Sequence, residues 1–138
     1  MPDDFSQCLV SNSRMAARAV TRRYDAYLRP FGITATQLSL LGGLGEMPGV
    51  TVSALAEARG FDRTTLTRNL DKLEAMGLVA SRHPDRGNGR IPEVTPKGAA
   101  LVADVLPSWR RAQLDMQAEL SSTIFDDSIK MLQRLAKV

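Results

Sequence analysis

Apolar positions along the chain recur mostly at helical spacing and predict six helices, interrupted once by two short runs that read as strands. Leu9 to Arg29 has no internal Pro or Gly and stops at Pro30-Phe31-Gly32, which predicts a long first helix with a hard end. Thr34-Ala35-Thr36-Gln37 has the form of a capping box opening a second helix through Leu38, Leu40, Leu41 and Leu44, with fraying expected at Gly42, Gly43 and Gly45. Met47-Pro48-Gly49 reads as a turn and Val50 to Val52 as an extended piece. Ser53 is the expected cap of a third helix, Ala54 to Arg59, closed by Gly60. Asp62 should cap a fourth helix from Arg63 to about Met76, which Gly77 ends.

The runs Leu78 to Arg82 and Arg90 to Val94 flank the turn formers Pro84 to Gly89 and predict a hairpin with a basic tip. Thr95-Pro96 begins a fifth helix, with a stripe through Leu101, Val105, Trp109, Ala112, Met116 and Leu120 and a kink expected at Pro107. Ser121 to Thr123 should cap a last helix striped by Ile129, Leu132 and Leu135, with Asp126 and Asp127 near its positive end and Lys137 near its negative end.

Within this series, Val52 to Asn69 meets three restrictive demands of a helix-turn-helix. Ala56 is small where the helices cross, Gly60 supplies positive φ in the turn, and Leu66 packs the second helix onto the first. Leu66, Leu70 and Leu73 share one face of the second helix, which leaves Thr64, Thr65, Arg68 and Lys72 on the other. That face has the chemistry of a DNA reader: Arg can take guanine edges bidentately, Thr can meet a thymine methyl or a phosphate, and neighbouring Asn69 can pair with adenine. Arg82, Arg86 and Arg90 around flexible glycines suit an arm laid along a backbone or into a minor groove.

Charge supports this location. The chain of 138 residues carries a net +3, and the segment from Arg59 to Gly98 holds all of the excess, with eight basic residues against five acidic. The sequence shows no carboxylate pair, Ser/His set or phosphate-binding glycine loop, which argues against an enzyme. One cysteine, Cys8, and one histidine, His83, do not make a zinc set, and neither metal nor cofactor is expected. No apolar run reaches the roughly 20 residues of a membrane span, and the start lacks a signal-peptide pattern, so the expected location is the cytoplasm.

Asp62 to Leu70, then Leu73-Glu74-Ala75-Met76-Gly77-Leu78-Val79, then Val94-Thr95-Pro96-Lys97-Gly98 resemble the recognition helix, wing entry and wing exit of the MarR family. Thr34 to Gln37 and Arg18 to Arg22 are similar to its first two helices, and the resemblance spans about Arg14 to Val138. It implies a fold that is mainly α with a small β-hairpin wing, a winged helix-turn-helix lobe (34–95) joined to dimerisation helices (9–33 and 96–138) in one domain. It further implies a homodimeric repressor on a pseudo-palindrome in double-stranded DNA. Thr64, Thr65, Arg68 and Asn69 would read bases, Arg63, Lys72 and Arg86 would contact phosphates, and Arg90 would enter the minor groove. The family's wing commonly bears Asp-x-Arg; here Asn88-Gly89-Arg90 lacks the aspartate, and Pro92 in the returning strand suggests an unpaired edge.

Many members bind a small aromatic or carboxylic acid effector between the dimer helices and the lobe. Arg14, Arg18, Tyr24, Tyr27 and Trp109 fit the lining of such a cleft and fit dimer-core packing equally. Some members sense peroxides through an N-terminal cysteine, but that position matches Val10, which makes redox sensing by Cys8 the lesser alternative to a plain thiol. The rival from another class is a winged-helix protein-interaction module, against which the basic, Thr-rich face argues.

Overall fold

The computed structural model describes residues 3–84 and 89–138, so the expectations for Arg86 and Asn88 lie outside the described residues. Helix α1 (Leu9–Leu28) follows a single 3-10 turn, Phe5–Gln7, and runs into a second one, Arg29–Phe31, where Pro30 and the left-handed Gly32 end it. Helix α2 (Ala35–Glu46) opens with the expected capping box: Thr34 Oγ1 accepts from the Gln37 N–H at 3.1 Å and Gln37 Oε1 accepts from the Thr34 N–H at 3.0 Å. The expected fraying does not occur. Gly42, Gly43 and Gly45 stay within one helix, because burial of Leu40, Leu41 and Leu44 outweighs the weak propensity of glycine.

Helix α3 (Val52–Arg59) starts two residues before its expected beginning. Thr51 rather than Ser53 is the cap, accepting from the Ala54 N–H at 3.1 Å, which brings Val52 into the helix while Thr51 itself keeps the expected extended backbone. Gly60 at φ 67 makes the tight turn, Phe61 donates its N–H to Ala56, and Asp62 caps helix α4 (Arg63–Ala75) through the Thr65 N–H. Leu66, Leu70 and Leu73 are fully buried in one cluster with Leu55, Leu40, Leu41 and Leu28, and these leucines form half of the core. Each such burial is worth about 1.5–3 kcal/mol, which is why leucine spacing alone positions the two short helices.

Strands β1 (Val79–Arg82) and β2 (Ile91–Val94) pair antiparallel with Val79 opposite Val94 and Ser81 opposite Pro92. Counting from the bond that Thr95 N–H donates to the Leu78 carbonyl, the pairs alternate, and Pro92 falls where an N–H would point out of the ribbon. The missing donor is therefore tolerated, as an edge position requires. Helix α5 (Pro96–Leu120) begins at Thr95, which accepts from the Gly98 N–H, and passes through Pro107 without a break. Helix α6 (Ser122–Leu135) follows a sharp junction at Ser121, whose side chain caps it; Asp126 and Asp127 sit beyond the first turn, and Arg134 rather than Lys137 occupies the last. Helix α5 packs on α1, on α2 and on β2, and so joins the lobe to the outer helices.

Candidate nucleic-acid interface

Helix α4 shows one apolar and one polar face, as its spacing demands. Arg63, Thr64, Thr65, Arg68 and Lys72 are exposed while the three leucines are not. The polar side chains are not equivalent. Thr65 Oγ1 lies 3.2 Å from Asp62 Oδ2 and takes part in the cap, and half-buried Asn69 donates through Nδ2 to the Thr65 carbonyl at 3.0 Å. Arg63, Thr64, Arg68 and Lys72 make no side-chain hydrogen bond to another described residue. The Asp62 carboxyl is held below the usual carboxylate range by the Thr65 N–H and hydroxyl, so its charge sits at the positive end of α4.

The ribbon β1–β2 flanks this face. Arg82 at its exposed edge pairs with Glu93 at 2.8 Å, an ion pair across the strands. Arg90 is engaged within the protein. Its guanidinium turns back onto α4, with Nη1 2.8 Å from Asp71 and Nη2 3.0 Å from Glu74, while Nε donates to Ser81 Oγ at 2.9 Å. Its side chain is 19% exposed, and the physical cause is plain: two carboxylates spaced three apart on one helix face capture the nearest cation. The Ser81 hydroxyl and then Arg90 hold Glu74 below its ordinary range.

A second feature lies between α1, α2 and α5, where a cavity of about 380 Å³ is lined by Tyr24, Leu38, Ser39, Gly42, Val102, Leu106 and Trp109, with Glu46 and Arg59 at one side. Only Tyr24 and Trp109 of the five expected cleft residues are there. The Tyr27 hydroxyl instead donates to Asp115 at 2.5 Å, in a polar ladder with Tyr24–Gln113 and Arg23–Glu119 that fastens α1 to α5. Arg14 is exposed, and Arg18 sits over a shallow groove with Thr21 and Arg22. The sequence did hold the missed signal: Ser39, Gly42, Gly43 and Glu46 follow the i, i+3, i+4, i+7 spacing of one helix face, and a face of small residues leaves room. Glu46 and Arg59 form an ion pair that ties α2 to α3 at the cavity's edge.

The outer helices are barely covered. From Leu9 to Val20 every residue of α1 is exposed, and Phe125 is the one buried side chain of α6, whose Ile124, Ile129, Met131 and Leu132 face outward. Cys8 stands at the N-cap of α1, where the Ser11 N–H draws its thiol below the ordinary range; the chain has no second cysteine to pair with it. Among the described residues no cluster of His, Cys, Asp and Glu is placed to hold a metal ion, and no helix is long and apolar enough to cross a membrane.

Two short helices at a glycine turn, the second presenting a basic face beside a hairpin, define a winged helix-turn-helix regulator of transcription that binds DNA. Residues 31–91 match the model of the MarR family. The chain is 30% identical over 117 residues to the multiple antibiotic resistance protein MarR of Salmonella typhimurium, covering 84% of this chain and 79% of that one. It belongs to the MarR family. Its fold is similar to that of the Mycobacterium tuberculosis transcriptional regulator MosR in complex with DNA, with TM-score 0.80, 33% identity, and 95% and 98% of the two chains covered. The Bordetella bronchiseptica regulator BpsR, whose DNA binding is regulated by 6-hydroxynicotinic acid, shares the fold at TM-score 0.85 and 19% identity, over 100% of this chain and 99% of that one.

Proposed function

We propose that the chain acts as a homodimeric repressor that occludes promoters in the cytoplasm and is released by a small effector. The observation that carries this reading is the exposed face of α4, where Arg63, Thr64, Arg68 and Lys72 stand unengaged by the described protein, as side chains waiting for a partner do. Thr64, Thr65, Arg68 and Asn69 read base edges and Arg63 and Lys72 anchor phosphates; Arg86, outside the described residues, adds an anchor. Residues 9–33 and 96–138 form the dimer, because a 20-residue α1 whose first half buries nothing needs a second copy to hold it. The relatives are transcriptional regulators, and the chain works without catalysis.

The effector reading rests on the cavity. Its size and apolar walls suit a small aromatic or carboxylic acid with the ring against Trp109 and an acid group toward Arg59. An acid drawn to Arg59 competes with Glu46 for the cation and loosens α3 from α2, which changes where α3 and α4 sit. Trp109 is the single tryptophan, so its fluorescence reports the cavity directly.

The experiment is selection of random duplex DNA on the purified protein, followed by titration of the winners across a salt series. A palindromic consensus bound by a dimer, with affinity falling steeply in salt, supports the repressor reading. Weak, sequence-independent binding would overturn it in favour of a protein-interaction module.

A further inference from the structure

We infer that Arg90 is a positioning residue that locks the wing to the reading helix, and that it does not itself enter the DNA groove. The inference rests on the DNA-binding reading above and reassigns a side chain which that reading, taken from the family pattern, would send into the minor groove. The guanidinium is engaged within the protein: Nη1 donates to Asp71, Nε donates to Ser81, and Nη2 lies in an ion pair 3.0 Å from Glu74 without a hydrogen bond of its own. Nη2 and Glu74 Oε1 are shut off from solvent and have no hydrogen-bond partner, so the ion pair is their only compensation, and withdrawing the arginine would leave the partly buried Glu74 without its counter-charge. The backbone of the same residue is engaged as well, since the Arg90 carbonyl accepts the N–H of Val52, the first residue of α3, at 2.9 Å. One residue thus fastens α3, α4 and β1 together.

The chain is also guided into this position. Gly89 takes φ 134, a region that side chains rarely adopt, and it packs beside Thr51, the cap of α3. A second consequence is electrostatic. Asp71 and Glu74 lie on the helix that carries Arg68 and Lys72, and without Arg90 their charges would face the phosphates uncompensated.

A strut and a groove contact predict opposite behaviour. Operator binding by the selected duplex would be compared, across a salt series, for the wild type, Arg90→Ala, the double variant Asp71→Asn with Glu74→Gln, and the charge swap Arg90→Glu with Glu74→Arg. A strut predicts that Arg90→Ala and the carboxylate double variant both weaken binding by at least about tenfold, and that the swap, which leaves Asp71 beside the new carboxylate, recovers part of the loss. The inference is overturned if Arg90→Ala lowers the salt slope by about one while the carboxylate double variant binds tighter than wild type, as for a phosphate or groove contact set free.

Failure of the DNA reading can be told apart from failure of the strut. Amide exchange in the free protein needs no DNA. There Arg90→Ala and the carboxylate double variant should both speed exchange along Val79–Arg82 and Ile91–Val94 while α5 amides stay protected. Unchanged wing exchange in both variants would remove the strut, whatever the DNA result.

Discussion

At Gly98 a missing methyl group lets α5 dock onto the entrance of the wing. A Cβ there would stand 2.2 Å from the Leu78 carbonyl oxygen and 2.9 Å from Val94 Cγ1, and the first of these neighbours is backbone that cannot turn aside. Gly98→Ala should therefore lower stability by about 1–3 kcal/mol in urea denaturation at fixed protein concentration, the range for overpacking a closed core; an unchanged midpoint would mean α5 can shift freely. Ser121 presents the opposite case. Its φ of 77 with ψ of 153 lies in a region favoured by glycine, at a strain of about 1–3 kcal/mol, whereas replacing a serine cap by glycine loses only a few tenths. Strain wins, so Ser121→Gly should raise the urea midpoint; a fall would show that the Ser121–Ile124 bond holds the corner. The Tyr27 hydroxyl, followed by Arg111, holds Asp115 below the usual carboxylate range. A depressed carboxyl contributes stability above its unfolded value of about 4 and loses it as pH falls through the folded value. The stability gap between wild type and Tyr27→Phe should thus narrow on acidification below about pH 4, and a constant gap across that window would contradict the assignment.

On helix α4 the division of labour among basic residues can be tested side chain by side chain. Arg68→Ala should cost about 1–3 kcal/mol on the preferred duplex and relax one base position, whereas Lys72→Ala should weaken every duplex alike and reduce the salt slope by about one. Identical losses across a panel of site variants would mean that readers and anchors are not distinct. How much of this element was legible in sequence follows from the physics. Asp62, Gly60 and the leucines at 66, 70 and 73 act locally, through a cap, a turn and a period, and the structure places all of them as read. The pairing of Arg90 was not legible because its partners, Asp71 and Glu74, lie far along the chain and meet it only once the hairpin folds back. The cavity was missed in part for a related reason. Gly42 and Gly43 announce weak helix propensity to a local reading, while their use as missing bulk appears only when α1 and α5 close over them.

At the scale of the whole molecule the exposed apolar faces and the DNA interface become one question. Ile129 and Leu132 of α6 are 41% and 52% exposed, and α6 buries only Phe125 within its own chain, so its helical stability has to come from a surface outside it. The proposed homodimer, in which α1, α5 and α6 interlock, would supply that surface, and it would also set two α4 helices on one duplex, with half-sites roughly 34 Å apart. Ile129→Glu with Leu132→Glu should then give a monomer in sedimentation. The lobe should remain folded, because its core, from Leu28 through α2, α3 and α4 to Val105, includes no residue of α6. Operator affinity should fall by about 100-fold or more, since the second lobe no longer binds at the effective concentration that the dimer provides. A monomer that keeps full operator affinity would show that one lobe suffices, and a dimer that survives both charges would place the interface on α1 and α5 alone.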